Sequence, residues 1–315
     1  MGLSFVSLSL VVLAAEGLVQ EHIDTHGIDS LRPKSKEPLM VAEIEAMLDL
    51  PEGTVIAFGG GRVVVGENIE WQGVRVWIAL FCVGGFRKEA VALGVGEKFG
   101  ARKLSLASLI YFAMGVIHRA PPIDVLRAIQ RLGTMVYIIP CPCKNDTTGE
   151  KYGNSPIPSP WHPTKKICFA REVIKYELMR GVAEAARRAS PLVMGPGGKS
   201  WSKAALDGFF KAMIALVVSK ERAARLSVHS FRIWLACALL AAGATPEQIM
   251  LLLRWSSEAA RKLYAMMGQL SQAALLGRAC EVKVDAVRAH TLLVVATTGA
   301  TGLTDETTTS AAAVR

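Results

Sequence analysis

The sequence has few cysteines, and their spacing argues against the commonest metal sites. None of the six lies in the Cys-x-x-Cys pairs that structural zinc sites use. The closest spacing, Cys141-Pro142-Cys143, has no second cysteine pair or histidine cluster beside it to complete a metal site. The pattern favours reduced thiols in an intracellular protein, and it predicts no metal ion.

Long apolar runs are also scarce. Residues 3–15, LSFVSLSLVVLAA, are apolar, but a helix that spans a bilayer needs about 20 such residues. No Lys or Arg precedes the stretch, as a secretory signal would require, and Val6 stands where the N-myristoylation pattern has Ser or Thr. The stretch is predicted to be a buried helix, and no membrane is expected among the partners.

The chain is rich in apolar residues and has an excess of basic ones. Of its 315 residues, 51% are hydrophobic and 20% are charged, which is typical of a globular protein. It contains 36 Lys and Arg against 27 Asp and Glu, for a formal net charge of +9. Such an excess favours a polyanionic partner, nucleic acid or an anionic membrane, although a solvated positive face would have the same composition.

Local patterns predict helices and one pair of strands. A helix is expected after Pro38 and should end before Pro51. Residues 74–83, VRVWIALFCV, are apolar on nearly all sides and predict a buried element. Extended runs at 134–139 and 156–158 predict a hairpin, with Lys144 at its shoulder. Helices are expected to dominate residues 164–275.

Two loops within this helical region have distinct signatures. Thr245, Pro246 and Gln248 have the spacing of an N-cap, a first helical proline and a capping box. Residues 195–200, GPGGKS, end like a phosphate-binding loop, but Val193 stands where the first glycine is needed. This second loop is therefore predicted to be a turn rather than a nucleotide site.

Residues 227–264 carry the most specific pattern in the chain. Ser227 is predicted to cap a helix on which His229 and Arg232, three positions apart, share one face. Both side chains could then reach a single phosphate. Tyr264 follows Trp255 on what should be a separate short helix, from which it could approach the same point.

This region resembles the tyrosine recombinase (phage integrase) family, whose pattern is an arginine, a hairpin lysine, His-x-x-Arg, His or Trp, and a tyrosine. Upstream, residues 85–89, GFRKE, resemble the segment that bears the family's first arginine. Lys144 resembles the hairpin lysine, with Lys151 as runner-up. The resemblance spans residues 36–270. The candidate site residues are Arg87, Lys144, His229, Arg232, Trp255 and Tyr264.

The resemblance implies a DNA strand-transfer reaction. Tyr264 would attack a phosphodiester and form a 3′-phosphotyrosine and a free 5′-hydroxyl. Arg87 and Arg232 would stabilise the negative charge that collects on the non-bridging oxygens, since guanidinium groups are always protonated near neutral pH. Neither a metal nor a nucleotide cofactor is expected.

The resemblance assigns proton transfer and hydrogen bonding to the other three residues. Lys144 would protonate the departing 5′ oxygen as a general acid. His229 would assist proton transfer from the tyrosine or bind phosphate. Trp255 can donate only its indole N–H, so its role would be phosphate binding and packing.

Each of these residues also has an ordinary interpretation when it is taken alone. Arg87 could form a surface ion pair with Glu89. His229 and Trp255 could be core residues, and Tyr264 could simply pack on a helix face. The ordered combination of all six favours the functional interpretation.

The resemblance implies an α+β, predominantly α-helical catalytic domain with a small antiparallel sheet at residues 36–275. Residues 1–35 would be the remnant of an N-terminal helical core-binding domain and linker, and residues 276–315 a C-terminal helix and flexible tail. The expected partners are double-stranded DNA and an oligomer assembled on it, in a nucleus or a prokaryotic cytoplasm. Two alternatives stay open: an inactive or truncated DNA-binding relative, and a type IB topoisomerase-like nicking-closing enzyme.

Overall fold

The computed structural model describes residues 37–143, 146–153, 155–254 and 269–281. Within these ranges the fold combines helices with small sheets, as the sequence predicts. The helices are α1 Val41–Leu48, α2 Ile69–Gly84, α3 Ile123–Leu132, α4 Glu150–Gly153, α5 Phe169–Arg180, α6 Lys203–Ile214, α7 Lys220–Arg225, α8 His229–Ala241, α9 Pro246–Leu252 and α10 Gln269–Ala279. The strands are β1 Val55–Phe58, β2 Gly61–Val64, β3 Ala92–Leu93, β4 Leu109–Ala113, β5 Val116–His118, β6 Met135–Ile138, β7 Ile157–Pro160 and β8 Trp201–Ser202.

A four-stranded antiparallel sheet has the order β5-β4-β6-β7. Its β6–β7 pair confirms the predicted pairing of residues 134–139 with 156–158, with Ile138 opposite Ile157. The short helix α4 lies in the connection between these two strands. Two smaller pairs complete the described sheets: β1 and β2 form an antiparallel hairpin, and β3 pairs with β8 in parallel.

Helix α2 is the centre of the hydrophobic core. It contains the apolar stretch 74–83, every residue of which is buried except Arg75. This confirms the predicted buried element, because a helix that is apolar on all sides must be covered on all sides. The indole of Trp77 lies at the middle, with ring centroids 5.6–6.5 Å from those of Phe81, Phe209, Phe210 and Phe231.

Capping residues fix where several helices begin and end. The α9 cap is confirmed: the Thr245 hydroxyl accepts the Gln248 N–H at 3.3 Å, and the Gln248 side chain accepts the Thr245 N–H at 2.8 Å. Helix α1 ends before Pro51, also as predicted. At residues 195–200 the chain forms a 3-10 turn over Pro196–Gly198 and then enters β8, so this loop is a turn as expected.

Helix α10 packs against β7 and α8. Its Leu275, Leu276 and Ala279 are buried in the same core as the central helix. The predicted domain division after residue 275 falls within this helix, so residues on both sides of it contribute to one core. No helix in the described part of the chain has the length and apolar character needed to cross a membrane.

Candidate anion-binding site

The end of α2 places Arg87 at a surface cleft. Gly85 closes the helix in a left-handed conformation (φ 51°, ψ 34°), and its N–H donates to the Phe81 carbonyl at 3.1 Å. The buried Phe86 then anchors the chain, and Arg87 follows with extended backbone dihedrals, half-buried at the start of a 3-10 turn. Arg87, the first arginine of the predicted pattern, therefore lies at the edge of the core, three residues after the end of α2.

The first turn of α8 supplies His229 and Arg232. The helix begins at His229, and Val228 rather than Ser227 is its N-cap residue, so the predicted Ser227 cap is wrong. The hydrogen bond runs the other way, because the Ser227 N–H donates to the buried Ser230 hydroxyl at 3.1 Å. The predicted spacing is retained, and His229 and Arg232 lie three positions apart on one helix.

Arg232 links three segments of the chain. One terminal nitrogen donates to the Gly85 carbonyl at 2.8 Å, and the other donates to the Leu253 carbonyl. The side chain therefore joins the end of α2 to the segment that follows α9, and it is 5% exposed. Both bonds fix the plane of the guanidinium, which sets the direction in which it can meet a ligand.

Arg254 is a site residue that the sequence pattern did not single out. Its terminal nitrogen Nη2 donates to the Gly84 carbonyl at 2.7 Å, and its guanidinium carbon lies 4.3 Å from the centre of the Phe86 ring. The side chain is 7% exposed. In the sequence it stands beside Trp255 within the patterned region 227–264, but a charged residue after the apolar end of α9 does not by itself indicate a buried position.

These side chains meet at an open cleft of about 480 Å³. Basic residues dominate its lining, with glutamates at positions 89 and 97 as the acidic ones. The basic residues are Arg87, Arg102, Lys103, Lys203, Arg232 and Arg254. His229 lines an adjoining pocket of about 190 Å³ that shares Arg87 with the first. The structure thus brings Arg87 and Arg232 into one cleft and places the histidine beside it.

Desolvation, together with the crowding of positive charge, lowers the pKa values of Arg232 and His229. Burial, followed by the charges of Arg254 and Arg87, lowers the pKa of Arg232 to about 9. Partial desolvation of the His229 ring, followed by the charges of Arg232 and Arg87, lowers its pKa below the usual 6.5, and Glu89 opposes this shift in part. The imidazole is therefore neutral near pH 7, and an anion in the cleft would relieve the repulsion among the guanidinium groups.

Lys103 is a second site residue that sequence reasoning missed. Its ammonium group is buried and donates to the carbonyls of Glu89 and Ala92 at 2.7 and 2.8 Å, and it contacts the Glu97 carboxylate at 2.9 Å. Three acceptors match its three donors, so Lys103 holds the cleft wall together. The described residues contain no group of three or more His, Cys, Asp or Glu side chains that could hold a metal ion.

Three of the predicted site residues, Lys144, Trp255 and Tyr264, lie outside the described residues. The runner-up lysine, Lys151, lies in α4, with its ammonium 4.9 Å from the centre of the Tyr152 ring. No protein-family model, curated protein or solved structure matches the chain. Its function must therefore be inferred from its own residues.

Proposed function

We propose that the chain is a tyrosine recombinase that cleaves and rejoins DNA strands through a 3′-phosphotyrosine intermediate at Tyr264. One observation carries the proposal: Arg87 from the end of α2 and Arg232 from the first turn of α8 line the same basic cleft, with His229 beside it. These residues are far apart in the sequence. Their convergence supports the family pattern on which the proposal rests.

The charges of the cleft suit a phosphodiester. In the proposed reaction the Tyr264 oxygen attacks phosphorus, the bond from phosphorus to the 5′ oxygen breaks, and a covalent phosphotyrosine forms. Negative charge on the non-bridging oxygens would meet Arg87 and Arg232, whose guanidinium groups donate hydrogen bonds in a fixed plane. Attack by the released 5′-hydroxyl, or by another strand's, then restores a phosphodiester and the free tyrosine.

Proton transfer is assigned to His229 and Lys144. The lowered pKa of His229 keeps its imidazole neutral near pH 7, as a group that accepts the tyrosine proton must be. Lys144 would protonate the departing 5′ oxygen, and Trp255 would donate its indole N–H to the phosphate. The latter two roles come from the resemblance alone.

A covalent trapping assay tests the proposal. The protein is mixed with nicked suicide duplexes from a random-site library, and denaturing gels reveal protein linked to DNA. We expect an adduct that Tyr264→Phe abolishes and that Tyr137→Phe retains, because Tyr137 lies on β6 and does not line the cleft. Loss of the adduct in both variants would contradict a specific role for Tyr264.

Other outcomes would favour the alternative functions. Salt-sensitive binding without an adduct would indicate an inactive DNA-binding relative, because counterion release needs only phosphate contacts. An adduct with relaxation of supercoiled DNA, but no strand exchange between paired sites, would indicate a topoisomerase-like enzyme. Affinity for duplex DNA that does not change with salt would contradict all three.

A further inference from the structure

Arg254 has a backbone conformation that glycine would adopt at a lower cost. Its φ is +55°, and in the described part of the chain only one other non-glycine residue, Met114, has a positive φ. L-residues with a side chain are strained in this left-handed region. The backbone strain at Arg254 therefore calls for a role of its side chain that glycine could not fill.

The Arg254 side chain is held in place at the wall of the cleft. It lies against the Phe86 ring and donates to the Gly84 carbonyl. Both contacts belong to the segment that carries Arg87, so the two guanidinium groups are positioned by the same end of α2. A guanidinium can stack on a ring and still present donors in its own plane, which the ammonium of lysine cannot do.

The carboxylates of the cleft are engaged by lysines. Glu97 forms an ion pair with Lys103 at 2.9 Å, and Glu89 lies 3.7 Å from the Lys203 ammonium. The lining of the cleft holds six basic side chains against two glutamates. Collecting several cations in a half-buried cleft is unfavourable unless an anion joins them.

We propose that Arg254 is a third phosphate-binding residue of the cleft, which donates to a DNA phosphodiester beside Arg87 and Arg232. This inference rests on the proposed function, because it takes duplex DNA as the anion. The strained backbone persists since the position must carry a guanidinium. The expected contact is to a non-bridging oxygen, so it affects all DNA sequences alike.

The test measures the affinity for a fluorescent duplex of random sequence at several salt concentrations. Arg254→Gly removes the guanidinium and relieves the backbone strain. We expect it to weaken binding about tenfold and to reduce the slope of log affinity against log salt by about 1. Arg254→Lys keeps a charge and should keep most of the slope. Thermal melting of each variant checks that it is folded.

Met114→Gly is the matched control. Met114 has nearly the same positive φ, 52°, but it is exposed in the turn between β4 and β5 and does not line the cleft. It should retain the wild-type affinity and slope. A loss of slope in this variant would mean that strain relief alone changes DNA binding, and it would overturn the inference.

The outcomes separate the inference from the function on which it rests. If wild-type protein shows no salt-dependent DNA binding, the proposed function fails. If wild type shows a slope and Arg254→Gly leaves it unchanged, only the role of Arg254 fails. Should Arg254→Gly not fold, Arg254→Gln is used instead, because it removes the charge and keeps the strained backbone. A reduced salt slope in this variant supports the role of Arg254, and an unchanged slope contradicts it.

Discussion

Gly85 can be tested against Gly181, because both glycines close helices in the same conformation. Their dihedrals are φ 51°, ψ 34° and φ 57°, ψ 38°, and each N–H donates to the carbonyl four residues earlier. At Gly181 an added Cβ would meet nothing within 4 Å. At Gly85 it would lie 2.5 Å from Leu253 Cδ2 and 3.2 Å from Leu235 Cδ2. Substitution by alanine therefore adds the same strain at both sites and crowding at one.

The expected changes in the free energy of unfolding follow from the backbone strain and the crowding. Left-handed alanine costs about 1–2 kcal/mol, partly offset by the smaller entropy of the unfolded chain. Gly181→Ala should therefore lower the free energy of unfolding by about 1 kcal/mol. Gly85→Ala adds about 1–3 kcal/mol of overpacking, because its Cβ would collide with the side chain of Leu253, which is fully buried. Urea denaturation of both variants measures the difference.

The same pair separates stability from DNA binding. Moving Leu253 would shift the carbonyl that accepts a hydrogen bond from Arg232. We expect Gly85→Ala to bind duplex DNA more weakly at a temperature where it is folded, and Gly181→Ala to bind like wild type. Equal losses of stability, or unchanged DNA binding in Gly85→Ala, would refute this account of the site.

Two further predictions concern buried charge. Arg187→Met removes the ion-pair partner of the Glu177 carboxylate, which is 3% exposed and keeps the hydrogen bond from the Tyr111 hydroxyl, and should cost about 3–5 kcal/mol of unfolding free energy. Lys166→Met breaks an exposed pair with Asp49 and should cost at most about 1 kcal/mol, so similar costs in urea denaturation would contradict the reasoning. Because the pKa of His229 is lowered in the folded protein, the unfolded chain binds more protons below about pH 6.5, and stability should fall as the pH decreases from 7 to 5. His229→Gln should reduce that loss, and an unchanged pH dependence of unfolding would argue against a lowered pKa of the His229 imidazole.

Features set by neighbouring residues could be predicted from the sequence. The capping box at Thr245 and the buried stretch 74–83 follow from spacing within a few residues, and both are confirmed. The Ser227 cap is wrong although its spacing is suitable. There the Ser230 hydroxyl takes the local hydrogen bond, and the helix begins at His229. The Ser227 hydroxyl is buried and accepts no hydrogen bond from the first turn, so a suitable residue at a suitable spacing did not suffice to form the cap.

The candidate site could be predicted only in part. His229 and Arg232 share a helix turn, so their proximity follows from local periodicity. The meeting of Arg232 with Gly85 joins positions 147 residues apart, and Arg254 meets Gly84 across 170 residues. Periodicity reports nothing about such distant contacts. Lys103 was also missed, since its burial depends on the carbonyls of Glu89 and Ala92, 14 and 11 positions earlier, which is beyond the few residues that local periodicity relates.

The hydrogen bonds from Arg232 and Arg254 to the end of α2 also determine when the cleft can form during protein synthesis. Ribosomes add about 5–20 residues per second. Roughly 10–35 s therefore pass between the synthesis of Gly84 and that of Arg254, 170 positions later. Until α8 has been synthesised, the central helix also lacks the contact between Trp77 and Phe231. A nascent chain cannot complete the basic cleft before Arg254 has been synthesised, so under the proposed function we expect it to bind nucleic acid only after that point.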